Sequence, residues 1–389
     1  MNPHELNIEL LQGDCLDVMA TLDAESIDAI VTDPPYGIGF LGRDWDSVVP
    51  GLDWAQACLR VLKPGGHLVA FGGCRTVHRL ACSIEDAGFE IRDLLAWAQW
   101  QGFPKSMDIS KAIDAAAGVE REVVGRGTSG RTAILGGTDG SIGHDITAPA
   151  TPEAKAWEGF GTALKPAFEP AVIARKPIAG TVAANVLRYG TGALNIDGCR
   201  IKPGDPAWPG PGEEVPVISD PGRRPGGFVA TGAARGSGTP NGSGHPLGRW
   251  PANVYQCPKP SRSEREAGCA HLPARAGFEA VERSEGSAGV DNPRAGAGRT
   301  ASRVRNHHPT VKPLGVIRWI VRLVGGRPGE SVILDPFMGS GTTLAACAIE
   351  GFAGIGIERE AEYIDIAEAR IKHEIGGLFA YRVRREGAV

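Results

Sequence analysis

The stretch Asp335-Pro336-Phe337-Met338-Gly339-Ser340-Gly341-Thr342-Thr343 carries the fold. A short strand, Val332 to Leu334, leads into it, and a helical pattern, Thr342 to Glu350, follows. Strand, Gly-rich turn and helix in that order bring backbone close to a ligand and point helix N-terminal donors at it. The next apolar run, Ala353 to Ile357, ends at Glu358. An acid about 20 residues beyond such a turn commonly holds a pair of ribose hydroxyls. Together these features describe a pocket for an adenosine-containing cofactor at the C-terminal ends of strands. A phosphate-binding P-loop would need Lys after the second glycine, where Thr342 stands. A dinucleotide turn would need a third glycine at the position of Leu344. A tight structural turn is the plain alternative. The acid at the head of the loop suits a cationic cofactor, and S-adenosylmethionine carries both an ammonium and a sulfonium.

Outward from the loop the pattern alternates. Leu314 to Val324 is an amphipathic helix, and Glu362 to Glu374 is a last helix. At the other end of the chain, strands are predicted at Ile8 to Leu11, Ile27 to Thr32, His67 to Gly72 and Glu90 to Ala98. Helices are predicted between them at Leu52 to Leu62 and Val77 to Ala87, with Lys63 to Gly66 as a turn. Strands alternating with helices predict an α/β fold with a doubly wound, mostly parallel sheet. The middle differs: Gly125 to Pro149 and Pro203 to Gly248 are rich in Gly and Pro and predict long loops. An ordered island lies between them, a strand at Ala171 to Ala174 and a helix at Thr181 to Arg188, with a further ordered point at Arg249 to Val254. The expected division is 1–110, a catalytic half; 111–305, an insert with the remaining catalytic strands and a target-recognition region; and 306–389, a cofactor-binding half.

A chain of 389 residues with 42% hydrophobic and 22% charged content is ordinary for a water-soluble protein. No apolar run approaches the roughly 20 residues of a membrane helix, and Met1 to Leu11 has no export pattern, so a cytoplasmic location without membrane attachment is expected. The cysteines form no Cys-x-x-Cys pair and read as reduced thiols. Cys257, Cys269 and His271 are poorly spaced for zinc, and no metal is expected. The formal net charge is -4, yet Asn292 to Gly329 contains no acid and many arginines. That stretch reads either as a solvated basic loop running into a helix or as a phosphate-facing surface, the second being favoured.

A second motif, Thr32-Asp33-Pro34-Pro35-Tyr36-Gly37, directly follows an apolar strand. Pro-Pro cannot extend a central strand, because neither residue donates a ladder hydrogen bond. It makes a rigid exit at which the Pro34 carbonyl and the Asp33 carboxylate are acceptors and Tyr36 offers a ring. An exocyclic amine has two N–H donors and a lone pair delocalised into its ring. Two acceptors holding those hydrogens would aim the lone pair, and the ring would stack on a base taken out of the duplex. By itself, the motif is equally a Pro-rich turn.

With both motifs present, the sequence resembles the amino-group DNA methyltransferases of the Asp-Pro-Pro-Tyr type. The catalytic motif precedes the cofactor loop, as in the circularly permuted beta group. Lys165 to Pro170, Ala174 to Pro177, Gly192 to Asp197 and Arg249 to Asn253 also resemble segments of bacterial and phage methylases. The resemblance implies a Rossmann-like, S-adenosyl-L-methionine-dependent fold. It implies Asp33, Pro34, Pro35 and Tyr36 as the catalytic motif. Asp335, Phe337, Gly339, Gly341 and Thr342 would form the loop at the cofactor's methionine, Glu358 would hold its ribose and Asp14 its adenine. Thr310 and Lys312, in His308-Pro309-Thr310-Val311-Lys312-Pro313, would close over the methionine tail; a helix-start surface lysine is the alternative for Lys312. The implied substrate is double-stranded DNA, in a prokaryotic cell or a phage-infected host, with a homodimer and a cognate restriction endonuclease left open. Asp at position 33 resembles the adenine-N6 type; the cytosine-N4 type often has Ser there. A cytosine-C5 enzyme would need a nucleophilic Cys after Pro, and here Cys257 precedes Pro258. RNA or protein-glutamine methylation, and DNA binding on an inactive scaffold, are the remaining alternatives.

Overall fold

The structure is a computed structural model that describes residues 7–39, 46–99, 102, 106–128, 143–201, 250–276, 303–376 and 380–384. Its strands are β1 (Asn7–Gln12), β2 (Ile27–Thr32), β3 (Leu62–Phe71), β4 (Glu90–Ala98), β5 (Val123–Thr128), β6 (Gly143–Thr147), β7 (Phe168–Arg175), β8 (Val254–Gln256), β9 (Arg275–Ala276), β10 (Arg303–Val304), β11 (Val332–Asp335), β12 (Ala353–Glu358) and β13 (Ala380–Arg384). Its helices are α1 (Cys15–Thr21), α2 (Leu52–Val61), α3 (Val77–Asp86), α4 (Ile109–Ala116), α5 (Pro152–Ala156), α6 (Val182–Tyr189), α7 (Arg262–Glu266), α8 (Leu314–Val324), α9 (Thr342–Glu350) and α10 (Ala361–Ile375).

The chain forms two compact units: Met1–Gln99, Phe168–Arg275 and Arg303–Val389 in one, Trp100–Ala167 and Ala276–Ser302 in the other. The first is built on a nine-stranded sheet in the order β13-β1-β12-β11-β2-β3-β7-β4-β8. From β13 to β3 every pairing is parallel; β7 then runs antiparallel to both β3 and β4. This is the expected doubly wound, mostly parallel α/β sheet. The two ends of the sequence meet in its middle, where β11 lies between β12 and β2.

The central strands are buried on both faces, and alternate side chains serve opposite cores. Leu68 and Ala70 of β3 pack with Met19 of α1, Trp54 of α2 and Leu80 of α3. Val69 and Phe71 join the opposite core, with Val316 of α8, Leu344 of α9 and Ile364 of α10. In α2 the buried positions Trp54, Ala55, Cys58 and Val61 follow helical spacing. Helix α9 is buried from Thr342 through Ala348, as a helix without a polar face should be, and ends on Gly351 at φ +81°.

Lys63 to Gly66, expected as a turn, instead lies within β3. The pairing with β2 jumps from Ile27↔Leu62 to Ala29↔His67, so these residues bulge out of the ladder. The bulge is held by the insert. Asn185 of α6 donates to the Pro64 carbonyl at 2.9 Å, and Thr191 donates to the same oxygen at 2.6 Å. Gly65, at φ +78°, lies so close to the Asn185 amide that a Cβ would collide with it.

The second unit contains an antiparallel β5–β6 pair with α4 and α5. Its centre is Asp114, fully buried, which accepts from the backbone of Ala150 and Thr151, from the Thr151 hydroxyl and from Arg121. These bonds hold its carboxyl below the usual range against the opposing effect of burial.

Candidate active site

Parallel strands deliver their C-terminal ends to one edge of a sheet, and ligand clefts form there. Here β1, β12, β11 and β2 are consecutive in the sheet and end at Gly13-Asp14, Glu358, Asp335 and Thr32-Asp33. Of the residues expected from sequence, Asp14, Asp33, Pro35, Thr310, Lys312, Asp335, Phe337, Gly339, Thr342 and Glu358 line a single cleft. Pro34, Tyr36 and Gly341 are not among its lining residues.

The β11–β12 side of the cleft is built from backbone. The two oxygens of Glu358 accept from the amides of Gly339 and Glu360, each at 2.9 Å, which fixes the loop against the end of β12. Asp335 accepts from the Phe337 amide at 3.1 Å and from the Thr32 hydroxyl at 2.7 Å, so the loop is tied to β2 as well. Burial, resisted by these bonds, pushes the Asp335 carboxyl up to about 6. Phe337 leans on Trp54 with ring centroids 6.0 Å apart. Gly339 has φ +52°, and a Cβ there would come within 2.7 Å of His308 Nε2. His308 is itself fixed, with its Nδ1 2.6 Å from the Thr310 carbonyl and its ring edge-on to Tyr363; burial lowers its pKa to about 3. Asp14 caps α1 by accepting from Leu16 at 2.9 Å, and a carboxylate used this way keeps acceptor capacity for a ligand.

Gly341 also has a structural use. At φ +76° it is the N-cap of α9, and a Cβ would meet Ala367 Cβ at 2.8 Å. The glycine allows α9 and α10 to touch. Arg370 of α10 donates to the Ser340 carbonyl at 2.6 Å, the Ser340 hydroxyl at 3.0 Å and the Thr342 hydroxyl at 2.9 Å, supporting the loop from beneath. No sequence motif marks Arg370.

The β2 side is built from charged side chains. Lys312 Nζ donates to Asp33 Oδ2 at 2.6 Å and to the Tyr36 hydroxyl at 2.9 Å, and lies 3.3 Å from Glu169 Oε2. The Tyr36 hydroxyl lies 2.9 Å from Asp33 Oδ1 and 3.2 Å from Glu169 Oε2. The rings of Tyr36, Phe71 and Trp97 surround the ammonium, with centroids 5.3, 5.0 and 6.0 Å away. Lys312 is 7% exposed, which removes the surface-lysine alternative. Burial opposes its charge, but Asp33 and Glu169 outweigh that and keep it protonated. Burial raises the Asp33 carboxyl against the pull of Lys312. In Glu169 burial acts in the same sense but loses to Lys312 and Lys259, so its pKa is lowered. The sequence places Glu169 only within a segment resembling other methylases; the structure brings it to Tyr36. After the motif, buried Asp46 accepts from the amide of Gly37 at 3.1 Å and fixes the chain's exit.

Among the described residues of the acid-free stretch, most basic side chains are paired or buried rather than gathered on one phosphate-facing surface. Arg318 and Arg322 of α8 both donate to Glu350 of α9, Lys312 is buried, and Arg327 pairs with Glu330. Arg303 and Arg305 are exposed, while Arg294 and Arg299 lie outside the described residues.

Compared with known proteins, the chain matches the N6/N4 DNA methylase family over residues 27–120 and 222–369. That is more than half its length, and the chain belongs to this family. It is 39% identical over 87 residues to YubD of Escherichia coli (strain K12), covering 21% of this chain and 38% of that protein. It is 39% identical over 88 residues to the type II methyltransferase M.ScaI of Streptomyces caespitosus, covering 22% of this chain and 28% of that protein. These matches therefore span well under half of either relative. Among solved structures, the cytosine-N4-specific PvuII DNA methyltransferase aligns at a TM-score of 0.46 and 13% identity, over 98% of this chain and 97% of that one. Likenesses at that level carry no argument about activity. No helix among the described residues is long and apolar enough to cross a membrane.

Proposed function

We propose that this chain transfers a methyl group from S-adenosyl-L-methionine to the exocyclic amine of a base flipped from double-stranded DNA, with adenine N6 as the acceptor. The observation that carries the proposal is the shared cleft: Asp33 and Pro35 line it together with Asp335, Gly339 and Glu358. A bound amine and a bound cofactor would be neighbours there.

The donor set of the cleft fits this cofactor. Asp14, Asp33, Asp335, Glu358 and Glu360 supply carboxylates, whereas Lys312 is committed to Asp33 and Arg359 to Glu360. Such a lining repels a pyrophosphate and attracts a cation. Glu358, with each oxygen already aimed by a backbone amide, keeps lone pairs for a ribose hydroxyl pair. Asp335 would face the ammonium, Asp14 the adenine, and Gly339 would let the backbone approach the methionine portion. When bound, the cofactor supplies a methyl already activated by its sulfonium, so no covalent enzyme intermediate is required.

Asp33 and the Pro34 carbonyl would accept the two amine hydrogens and aim the nitrogen lone pair. The nitrogen lone pair so aimed would accept the methyl that the bound cofactor supplies, with the S–C bonding electrons staying on sulfur. Positive charge thus arrives on the amine, which then loses a proton to solvent. The chain's contribution is position, exclusion of water and negative charge beside that nitrogen. Cytosine N4 is the second reading, since its exocyclic amine demands the same geometry. The test is incubation with radiolabelled cofactor and bacterial DNA lacking its own methylation, followed by digestion to nucleosides. Label in N6-methyladenine supports the proposal, label in N4-methylcytosine replaces the acceptor, and no label in DNA refutes it.

A further inference from the structure

We propose that Glu169 is a positioning residue that sets the charge of the amine-holding cluster: it shares Lys312 with Asp33 and so leaves the pair of carboxylates with one uncompensated negative charge. The inference rests on the reading of Asp33 as the group that holds the amine.

Asp33 and Glu169 face one buried ammonium, Lys312, and their partner Tyr36 is neutral, its ionisation strongly opposed by burial and then by the two carboxylates. Had Asp33 been the only acid, Lys312 at 2.6 Å would cancel its charge at the place where positive charge develops during transfer. With Glu169 the cluster stays net negative. The other charge on Glu169 is Lys259, 3.8 Å from its second oxygen. The Lys259 side chain is 48% exposed, so solvent screens it far more than it screens Lys312 at 8%. Cys74 also lies near Glu169, with its thiol held protonated by burial and by that carboxylate. Glu169 enters from β7, the strand antiparallel to its neighbours, and the Lys312 ammonium and Tyr36 hydroxyl lie between it and Asp33. It therefore acts on the reacting atoms only through those groups.

The experiment is single-turnover methyl transfer by the full chain, with cofactor and DNA dissociation constants and thermal unfolding measured alongside. Glu169→Gln keeps the shape and the acceptor oxygen for Lys312 and Tyr36 but removes the charge. Its transfer rate is expected to fall about 10- to 100-fold with both dissociation constants within about twofold of wild type, the size expected for one charge acting at short range in a partly buried site. Glu169→Asp, which restores charge but not shape, is expected to recover most of that loss, and Lys259→Met to change the rate by less than about twofold. Glu169→Gln transferring at the wild-type rate would overturn the inference, as would Glu169→Asp being no faster than Glu169→Gln. A wild-type chain that labels no DNA would instead refute the underlying reading of Asp33.

Discussion

The two sides of the cleft are made differently. Beside β11 and β12, one contiguous loop provides backbone amides, and Glu358 and Arg370 brace it. Beside β2, four side chains from three distant points of the sequence, Asp33 with Tyr36, Glu169 and Lys312, make a compact charged cluster. The first depends on glycine geometry, the second on charge balance. Substitutions on the two sides should therefore fail in different ways.

The largest effect is expected at Lys312. Lys312→Met leaves the half-buried Asp33 and Glu169 without their shared cation and should lower stability by about 2–3 kcal/mol at neutral pH, measured by urea unfolding. Both carboxyls would then titrate higher in the folded than in the unfolded chain. The deficit should shrink at low pH and grow as pH rises. A Lys312→Met protein as stable as wild type would mean that the cluster is not charge-balanced. On the other side, Gly341→Ala imposes a side chain at φ +76° against Ala367 and should cost roughly 1–3 kcal/mol, read by thermal unfolding. Unchanged stability would mean that α10 can yield to a side chain at this position.

A smaller effect concerns Asp335, whose carboxyl titrates near 6. Its folded pKa lies above the ordinary value of 3.8, so its contribution to stability is complete at low pH and is lost as pH rises through about 6. Cationic cofactor binding has the opposite dependence, because it needs the ionised carboxylate. Affinity should rise about tenfold from pH 5 to pH 7 in calorimetric titrations, and Asp335→Asn should flatten that rise. A rise that persists in the variant would place the ammonium elsewhere. The smallest effect is expected at Arg322, already bound to Glu350. Arg322→Gln should leave the salt dependence of DNA affinity nearly unchanged, whereas loss of a phosphate contact would reduce the slope by about one.

The contrast also explains what the sequence could and could not reveal. The loop from Asp335 to Thr343 and the Asp33 to Tyr36 motif are contiguous, and strands on either side of each place them at the sheet's C-terminal edge. Their meeting follows once β11 and β2 are neighbours, although the Thr32–Asp335 bond spans 303 positions of sequence. A glycine's need for positive φ is also readable, but the neighbour that benefits is not: nothing near Gly341 in sequence signals that Ala367 will pack against it. Charge pairing is a property of the folded chain alone. Counting residues from Asn292 to Gly329 made Arg318 and Arg322 resemble a phosphate surface, and only packing of α8 on α9 shows that Glu350 holds them. Glu169 went unmarked for the same reason, since nothing local to β7 signals that Lys312 and Tyr36 will reach it.

The measurement that tests the central claim most directly is Asp33→Ala assayed twice, for cofactor affinity by calorimetry and for labelled methyl in DNA. Lys312 keeps Glu169 as its partner in this variant, and the loop at β11 is untouched. The expected result is a cofactor dissociation constant within about threefold of wild type and a methyl-transfer rate reduced at least about 1,000-fold, the signature of an interaction used only in the transition state. Transfer near the wild-type rate, or cofactor binding lost together with transfer, would contradict it.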